Sequence, residues 1–264
     1  MKPVSREGYK FRQDISIPCY QTDVKCQLRP AAFMDLAQEI AYWAAHELGF
    51  GYDTLHIHHT AWVLSRMHIH FVKPVAWRDQ VTLYTWHKGS SGLFYLRDFV
   101  LLNPAGEQSV VCTSSWVVIN EETRRLVRPE DLAHFMTVDY EVDDAIAEPA
   151  PKVVMPRDAR SEPGMTNTEP GMTNREAECV AEHRVAFSDV DLIGHTNNAR
   201  YVVWAMDCLP PAQTEQPLKD LYINFNKETK ADELVQLYRL QDGTSWYVEG
   251  RVDGKSCFVV KLEY

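Results

Sequence analysis

The sequence predicts an α+β protein made of two repeats of one unit, each a long helix wrapped by a curved antiparallel sheet. Three observations predict this. At 264 residues the chain exceeds the usual span of one core, and it divides into halves of about 120 to 140 residues. Each half runs strand, amphipathic helix, then a series of alternating strands. Finally, stretches of the second half have counterparts in the first. With Ser188 set against Thr22, SDVDLIGHTNNARY lies beside TDVKCQLRPAAFMD, so Asp191 faces Lys25 and His195 faces Arg29. INFNKETKADELV likewise lies beside IHFVKPVAWRDQV, where Glu228 falls on Pro74.

The first half opens with an extended stretch, Phe11 to Tyr20. A helix follows, in which Phe33, Leu36, Ala37, Ile40, Ala41, Ala44 and Leu48 recur at intervals of three and four. Pro30 suits its first turn, and Gly49 with Gly51 its end. From Arg66 to Phe71 apolar and polar residues alternate, as a half-buried strand requires. VTLYTW, LFYLRDFVLL and SVVCTSSWVVI continue as strands, separated by turn-formers at 88–92 and 103–106. The second half repeats the order. A strand over Glu182 to Phe187 leads to a helix from Asn197 to Cys208, stopped by Pro210-Pro211. LYINFN, ELVQLYRL, SWYVEGRV and SCFVVKLEY then read as strands, with turns at Asp242-Gly243 and Asp253-Gly254. The expected divisions are 1–140, a surface linker at 141–177 that contains the tandem EPGMTN-T-EPGMTN (Glu162 to Asn174), and 178–264. The two units are expected to pack as a pseudo-dimer.

Composition narrows the function classes. The chain is 45% hydrophobic and 24% charged, typical of globular proteins. No run reaches the roughly 18 to 20 apolar residues of a membrane span. The opening MKPVSREGYKFRQ lacks the apolar core of a secretory signal, so a cytoplasmic location is expected. Six scattered cysteines without a C-x-x-C pair read as reduced, mostly buried thiols. A net charge of −10 opposes generic binding to nucleic acid. His56, His58 and His59 cluster in LHIHHT, read as a polar loop, but lack partners at metal-site spacing, so neither metal nor cofactor is expected.

Hydrolysis of an ester or thioester needs a polarised carbonyl, an activated oxygen nucleophile and a proton for the leaving group. Asp191, Gly194 and His195 fall in the turn that leads into the second helix, and Glu228 follows the strand after that helix. Backbone N–H groups near Gly194 and His195 could hold an oxyanion. Each residue also has an ordinary structural explanation: Asp191 and Asn197 as helix caps, His195 and Glu228 as surface polar groups. Their joint placement in one copy of a repeat favours chemistry.

SDVDLIGHTNNARYVVW resembles the signature of the acyl-acyl-carrier-protein thioesterases of plant plastids and bacteria. AWVLSRMHIHF, WRDQVTLYTW and SSWVVINEETRRLVRP resemble that family's N-terminal domain. The resemblance implies tandem hot-dog domains, an N-terminal copy without catalytic groups that holds the acyl chain, and a catalytic C-terminal copy. By position it assigns Asp191, His195 and Glu228 to catalysis. The family's Asn two residues before the His is Ile193 here, which passes any polar duty to Asn197, Asn198 or the backbone. The cysteine that follows the Glu in plant members is Thr229, which argues against a thiol nucleophile.

The implied reaction is hydrolysis of fatty acyl-carrier thioesters to free fatty acid and carrier thiol. The implied partner is an acyl carrier protein, met through Arg124, Arg125 and Arg128 or through Lys227 and Lys230; a homodimer is left open. Phe33, Ile40, Trp43 and Leu48 are candidates for lining an acyl tunnel. The rival readings are an acyl-CoA thioesterase, another hot-dog enzyme such as a dehydratase, or a non-catalytic acyl-thioester sensor.

Overall fold

The computed structural model describes residues 4–132, 141–156 and 176–264. Its chain divides into two compact units, Met1–Pro151 and Lys152–Tyr264. The first unit begins with β1 (Ser5–Glu7) and β2 (Lys10–Ser16), followed by helix α1 (Pro30–Glu47) and a short helix α2 (Tyr52–Ile57). Strands β3 (Thr60–Phe71), β4 (Gln80–Ser91), β5 (Phe94–Leu102) and β6 (Gln108–Asn120) come next, then β7 (Leu126–Val127) and α3 (Pro129–Leu132). Every pairing is antiparallel, in the order β1-β2-β4-β5-β6-β3, with β7 added to β6.

Helix α1 forms where its spacing predicts. Pro30 occupies its first turn, and its buried stripe includes Phe33, Ala37, Ile40, Ala41 and Ala44, turned toward β4 and β2. Gly49 ends it with φ at +85°, a left-handed conformation that glycine adopts without a Cβ penalty. The segment read as a polar loop is instead the end of α2. Leu55 is 1% exposed and anchors this turn in the core, a tertiary contact that its histidine-rich neighbours conceal.

Residues 141–146, counted with the linker in the sequence reading, lie against Trp86, Val100 and Val111. Trp86 Nε1–H donates to the Asp143 carbonyl at 2.8 Å, and the Ala145 N–H donates to Asp98 Oδ2 at 2.8 Å. Lys88, itself buried, reaches Asp98 at 3.1 Å and Asp144 at 3.0 Å. This cover explains why β5 is buried from Tyr95 to Leu101, where a strand with one wet face would alternate. The EPGMTN tandem lies outside the described residues.

The second unit comprises β8 (Glu178–Arg184), helix α4 (Asn198–Asp207), the short α5 (Pro211–Thr214), β9 (Asp220–Phe225), β10 (Leu234–Asp242), β11 (Ser245–Val252) and β12 (Lys255–Glu263). Its sheet is antiparallel in the order β8-β10-β11-β12-β9. Helix α4 turns Ala199, Tyr201, Val202, Trp204 and Ala205 inward, against β11 and β12. The strand expected over 182–187 ends sooner. Phe187 opens a 3-10 turn (Phe187–Asp189) and is 95% exposed, because Asp189 rather than Phe187 is taken into the interior.

Gly250 of β11 pairs with Phe258 of β12, and a Cβ at 250 would overlap the Phe258 ring. Phe258 in turn packs on Tyr201 with ring centroids 4.9 Å apart. Gly250→Ala is therefore expected to destabilise the protein by about 1 to 3 kcal/mol through overpacking. The urea midpoint measures it, and an unchanged midpoint would show that Phe258 can move aside.

Candidate active site

The chain between β8 and α4 folds back on itself to form one side of the site. Gly194 N–H donates to the Asp191 carbonyl at 3.1 Å, and Asp191 N–H donates to the His195 carbonyl at 2.8 Å. Asp191 Oδ1 accepts the N–H groups of Ile193 (3.0 Å) and His195 (3.3 Å). Gly194 closes the turn at φ +82°. The tip exposes Leu192 (87%) and leaves Ile193 half exposed, while His195 is carried inward. Asp191 thus holds the backbone of His195 through the turn.

The other side is the chain leaving β9. Thr196 N–H donates to the Thr229 carbonyl at 2.9 Å, joining the residue after His195 to the residue after Glu228. Across that closure His195 Nε2 lies 3.3 Å from Glu228 Oε1, with side chains 21% and 31% exposed. The pair is therefore sheltered yet reachable from solvent. Asn197 is the N-cap of α4, and its side-chain oxygen accepts the Ala199 N–H at 2.8 Å. Of the four residues singled out from sequence, His195 and Glu228 meet, Asp191 braces the backbone of His195 from the turn, and Asn197 commits its oxygen to the helix. The N–H groups of Gly194 and His195, expected to face an oxyanion, are engaged by Asp191, which sets that expectation aside.

Sequence reasoning missed a second layer. Asp189 is 1% exposed and binds three groups: Ala186 N–H at 2.9 Å, His183 Nε2 at 2.8 Å and Arg200 Nε at 2.9 Å. Burial raises its pKa, but these donors outweigh burial and hold the carboxyl below its ordinary value. Its carbonyl accepts the Asn197 N–H at 2.9 Å, so Asp189 ties β8, the turn and α4 together. Tyr201, Thr196 and Thr229 were missed as well; their hydroxyls form a buried cluster described below.

A better register between the halves would have signalled them. The isolated bridges Thr22–Leu28 and Val190–Thr196 are equivalent, as are the 3-10 turns Cys19–Gln21 and Phe187–Asp189. Val190, not Ser188, therefore stands against Thr22. The shared Asp-Val of TDV and SDV drew the sequence alignment to the wrong Asp. In the corrected register Asp191 matches Asp23, whose Oδ1 accepts the N–H groups of Lys25 (2.8 Å) and Gln27 (2.9 Å) in the same manner. The aspartate is common to both units. What distinguishes the second is His195 in place of Gln27 and Glu228 in place of Pro74.

All six cysteines are unpaired; Cys112, Cys208 and Cys257 are buried, but Cys19, Cys26 and Cys179 are exposed, more than expected. Burial pushes the Cys208 thiol up to about 11 and raises that of Cys257, so neither is a ready thiolate. His56 faces Glu121 at 3.1 Å, and among the described residues no group of three or more His, Cys, Asp or Glu could hold a metal ion. Nor does any described helix have the length and hydropathy to cross a membrane.

In each unit a helix packs across antiparallel strands, the arrangement of the double hot-dog class. Residues 8–134 match the acyl-ACP thioesterase N-terminal domain and residues 172–254 the acyl-ACP thioesterase C-terminal domain. The chain belongs to the acyl-ACP thioesterase family. It is 26% identical over 245 residues to the oleoyl-acyl carrier protein thioesterase 2 of Arabidopsis thaliana, an alignment covering 87% of this chain and 62% of that protein. It is 27% identical over 250 residues to the palmitoyl-acyl carrier protein thioesterase of Gossypium hirsutum, covering 88% and 55%. Both relatives are described as chloroplastic, and the chain spans less than two thirds of either. Among solved structures, the 12:0-ACP thioesterase of Umbellularia californica superposes with a TM-score of 0.82 over 98% of both chains at 21% identity. An acyl-ACP thioesterase of Bacteroides thetaiotaomicron gives 0.78 over 97% of both, also at 21%.

Because Asp191 acts here through two accepted N–H bonds, Asp191→Asn should preserve stability better than Asp191→Ala. The alanine is expected to cost about 1 kcal/mol or somewhat more, and Asp23→Ala a similar amount. Chemical denaturation checks this; equal losses for the asparagine and the alanine would tie the effect to charge instead.

Proposed function

We propose that the protein hydrolyses fatty acyl-carrier-protein thioesters, releasing a free fatty acid and the carrier thiol. The observation that carries this reading is the 3.3 Å contact of His195 Nε2 with Glu228 Oε1, in the unit that has replaced Gln27 and Pro74 with them. In the proposed reaction Glu228 takes a proton from a water molecule as its oxygen attacks the thioester carbonyl. The tetrahedral species collapses with cleavage of the C–S bond, and the proton taken by Glu228 is handed to His195 across their 3.3 Å contact and on to the departing thiolate. Atoms balance as thioester plus water giving acid plus thiol. Asp191 and Asn197 serve by holding the turn and the helix start that carry His195.

The acyl chain is assigned to the first unit. Phe33 and Ile40 have no exposed surface, which leaves the half-buried Trp43 and Leu48 as the candidates for touching it. Burial of hydrocarbon contributes about 0.8 kcal/mol per methylene, enough for a long chain to hold its place. Exposed Lys227 and Lys230 flank Glu228 in sequence and suit an acidic carrier, whereas the net charge of −10 does not. Unpaired, partly exposed cysteines fit a reducing compartment, either the cytoplasm or the chloroplast of the named relatives.

Purified protein incubated with acyl-carrier proteins of several chain lengths should release thiol and fatty acid in equal amounts. Glu228→Gln and His195→Ala should each lose about 10²-fold or more in kcat while staying folded, and Cys208→Ala with Cys257→Ala should stay active. Wild-type turnover by Glu228→Gln would overturn the assignment. Raising salt should lift KM for the acyl-carrier substrate more than for an acyl-CoA; equal effects would remove the docking role of Lys227 and Lys230.

A further inference from the structure

Thr196 Oγ1 lies 2.7 Å from Thr229 Oγ1, and Tyr201 OH lies 3.0 Å from that same Thr229 Oγ1. The Thr229 N–H donates to Tyr201 OH at 3.0 Å. The three residues are 4%, 0% and 2% exposed. Thr196 directly follows His195, Thr229 directly follows Glu228, and Tyr201 lies on the first turn of α4. The first unit closes its corresponding turn without these hydroxyls. There Leu28 N–H donates to the Val75 carbonyl at 2.8 Å, and the matching side chains are Leu28, Val75 and Phe33. Apolar residues at these positions thus suffice to fold the turn, and buried hydroxyls are costly unless fully paired.

We infer that Thr196, Thr229 and Tyr201 are positioning residues of the reaction, their linked hydroxyls setting the spacing and orientation of His195 against Glu228. The inference rests on the hydrolase reading of that pair. Apolar packing specifies volume, whereas hydrogen bonds also specify direction, so the cluster locks two backbone segments in one relative placement. Gly250 supports it from behind by admitting the Phe258 ring that packs on Tyr201.

The test is a triple variant, Thr196→Val, Thr229→Val and Tyr201→Phe, which gives the cluster the apolar character of the first unit. It is measured on the full chain with acyl-carrier substrate beside Thr229→Ser and Glu228→Gln. The triple variant should melt near the wild type and keep its KM but lose about 10- to 100-fold in kcat, the scale of a small misplacement of reacting groups. Thr229→Ser, which keeps the hydroxyl, should retain most of kcat. A folded triple variant with wild-type kcat, or one whose loss lies in KM, overturns the inference. If the triple variant does not fold, Tyr201→Phe set against Thr229→Ser decides it by the same split. Two controls separate the claims: a wild-type chain that releases neither thiol nor fatty acid overturns the hydrolase reading, normal turnover by Glu228→Gln overturns the role given to the His195–Glu228 pair, and an inactive Glu228→Gln beside a fully active triple variant overturns only the positioning role.

Discussion

The second unit depends on one closure: the chain entering α4 is bonded to the chain leaving β9 through Thr196 N–H and the Thr229 carbonyl, 2.9 Å apart. These segments are separated in sequence by α4, α5 and β9, so no local preference brings them together. Their meeting is decided by α4 lying against β11 and β12. Once it is made, His195 and Glu228 have little freedom left, since each directly precedes a buried, bonded threonine. Asp189 anchors the same turn as well, bonded to β8 through His183 and to α4 through Arg200.

The first unit makes the same closure with Gln27 and Pro74 in the places of His195 and Glu228. Its turn uses the same aspartate bonds, from Asp23, and the same backbone link, from Leu28 to Val75. The scaffold is thus indifferent to the identity of the side chains at the closure, provided they fill the space. This indifference is what lets a duplicated fold keep polar chemistry in one unit and an apolar interior in the other. Elsewhere the first unit does bury charge. Lys88 and Asp98 are almost without exposed surface, and their pairing is completed by Asp144 and the Ala145 N–H from the chain laid over β4 and β5. Removing Lys88 would leave the buried Asp98 carboxyl without its cation, so the pair holds that segment in place more than it adds stability.

Much of this was legible in the sequence because it rests on short-range periodicity. The three-and-four spacing from Phe33 to Leu48 predicts α1, Pro30 and Gly49 bound it, and Asp242-Gly243 and Asp253-Gly254 mark real turns. His195 and Glu228 could be picked out as the residues that one repeat has and the other lacks. Where the reading failed, a tertiary contact had overridden a local pattern: Leu55 drawing a histidine-rich stretch into α2, residues 141–146 pinned by Trp86 and Lys88, and Asp189 buried where Phe187 is not. The slip that set Ser188 against Thr22 had the same origin, because identical Asp-Val pairs outweighed a turn whose bonds are invisible in one dimension.

By itself, then, the sequence determined the class of fold, the duplication, the ends of the long helix and the residue types available for chemistry. All of these depend on neighbours within a turn or two along the chain. Only the tertiary structure decided which aspartate braces the turn, which asparagine oxygen is spent on a helix cap, and that three hydroxyls stand behind the His195–Glu228 pair. Those outcomes depend on hydrogen-bond direction and on burial between segments distant in sequence, and neither quantity exists until the helix has packed on its sheet.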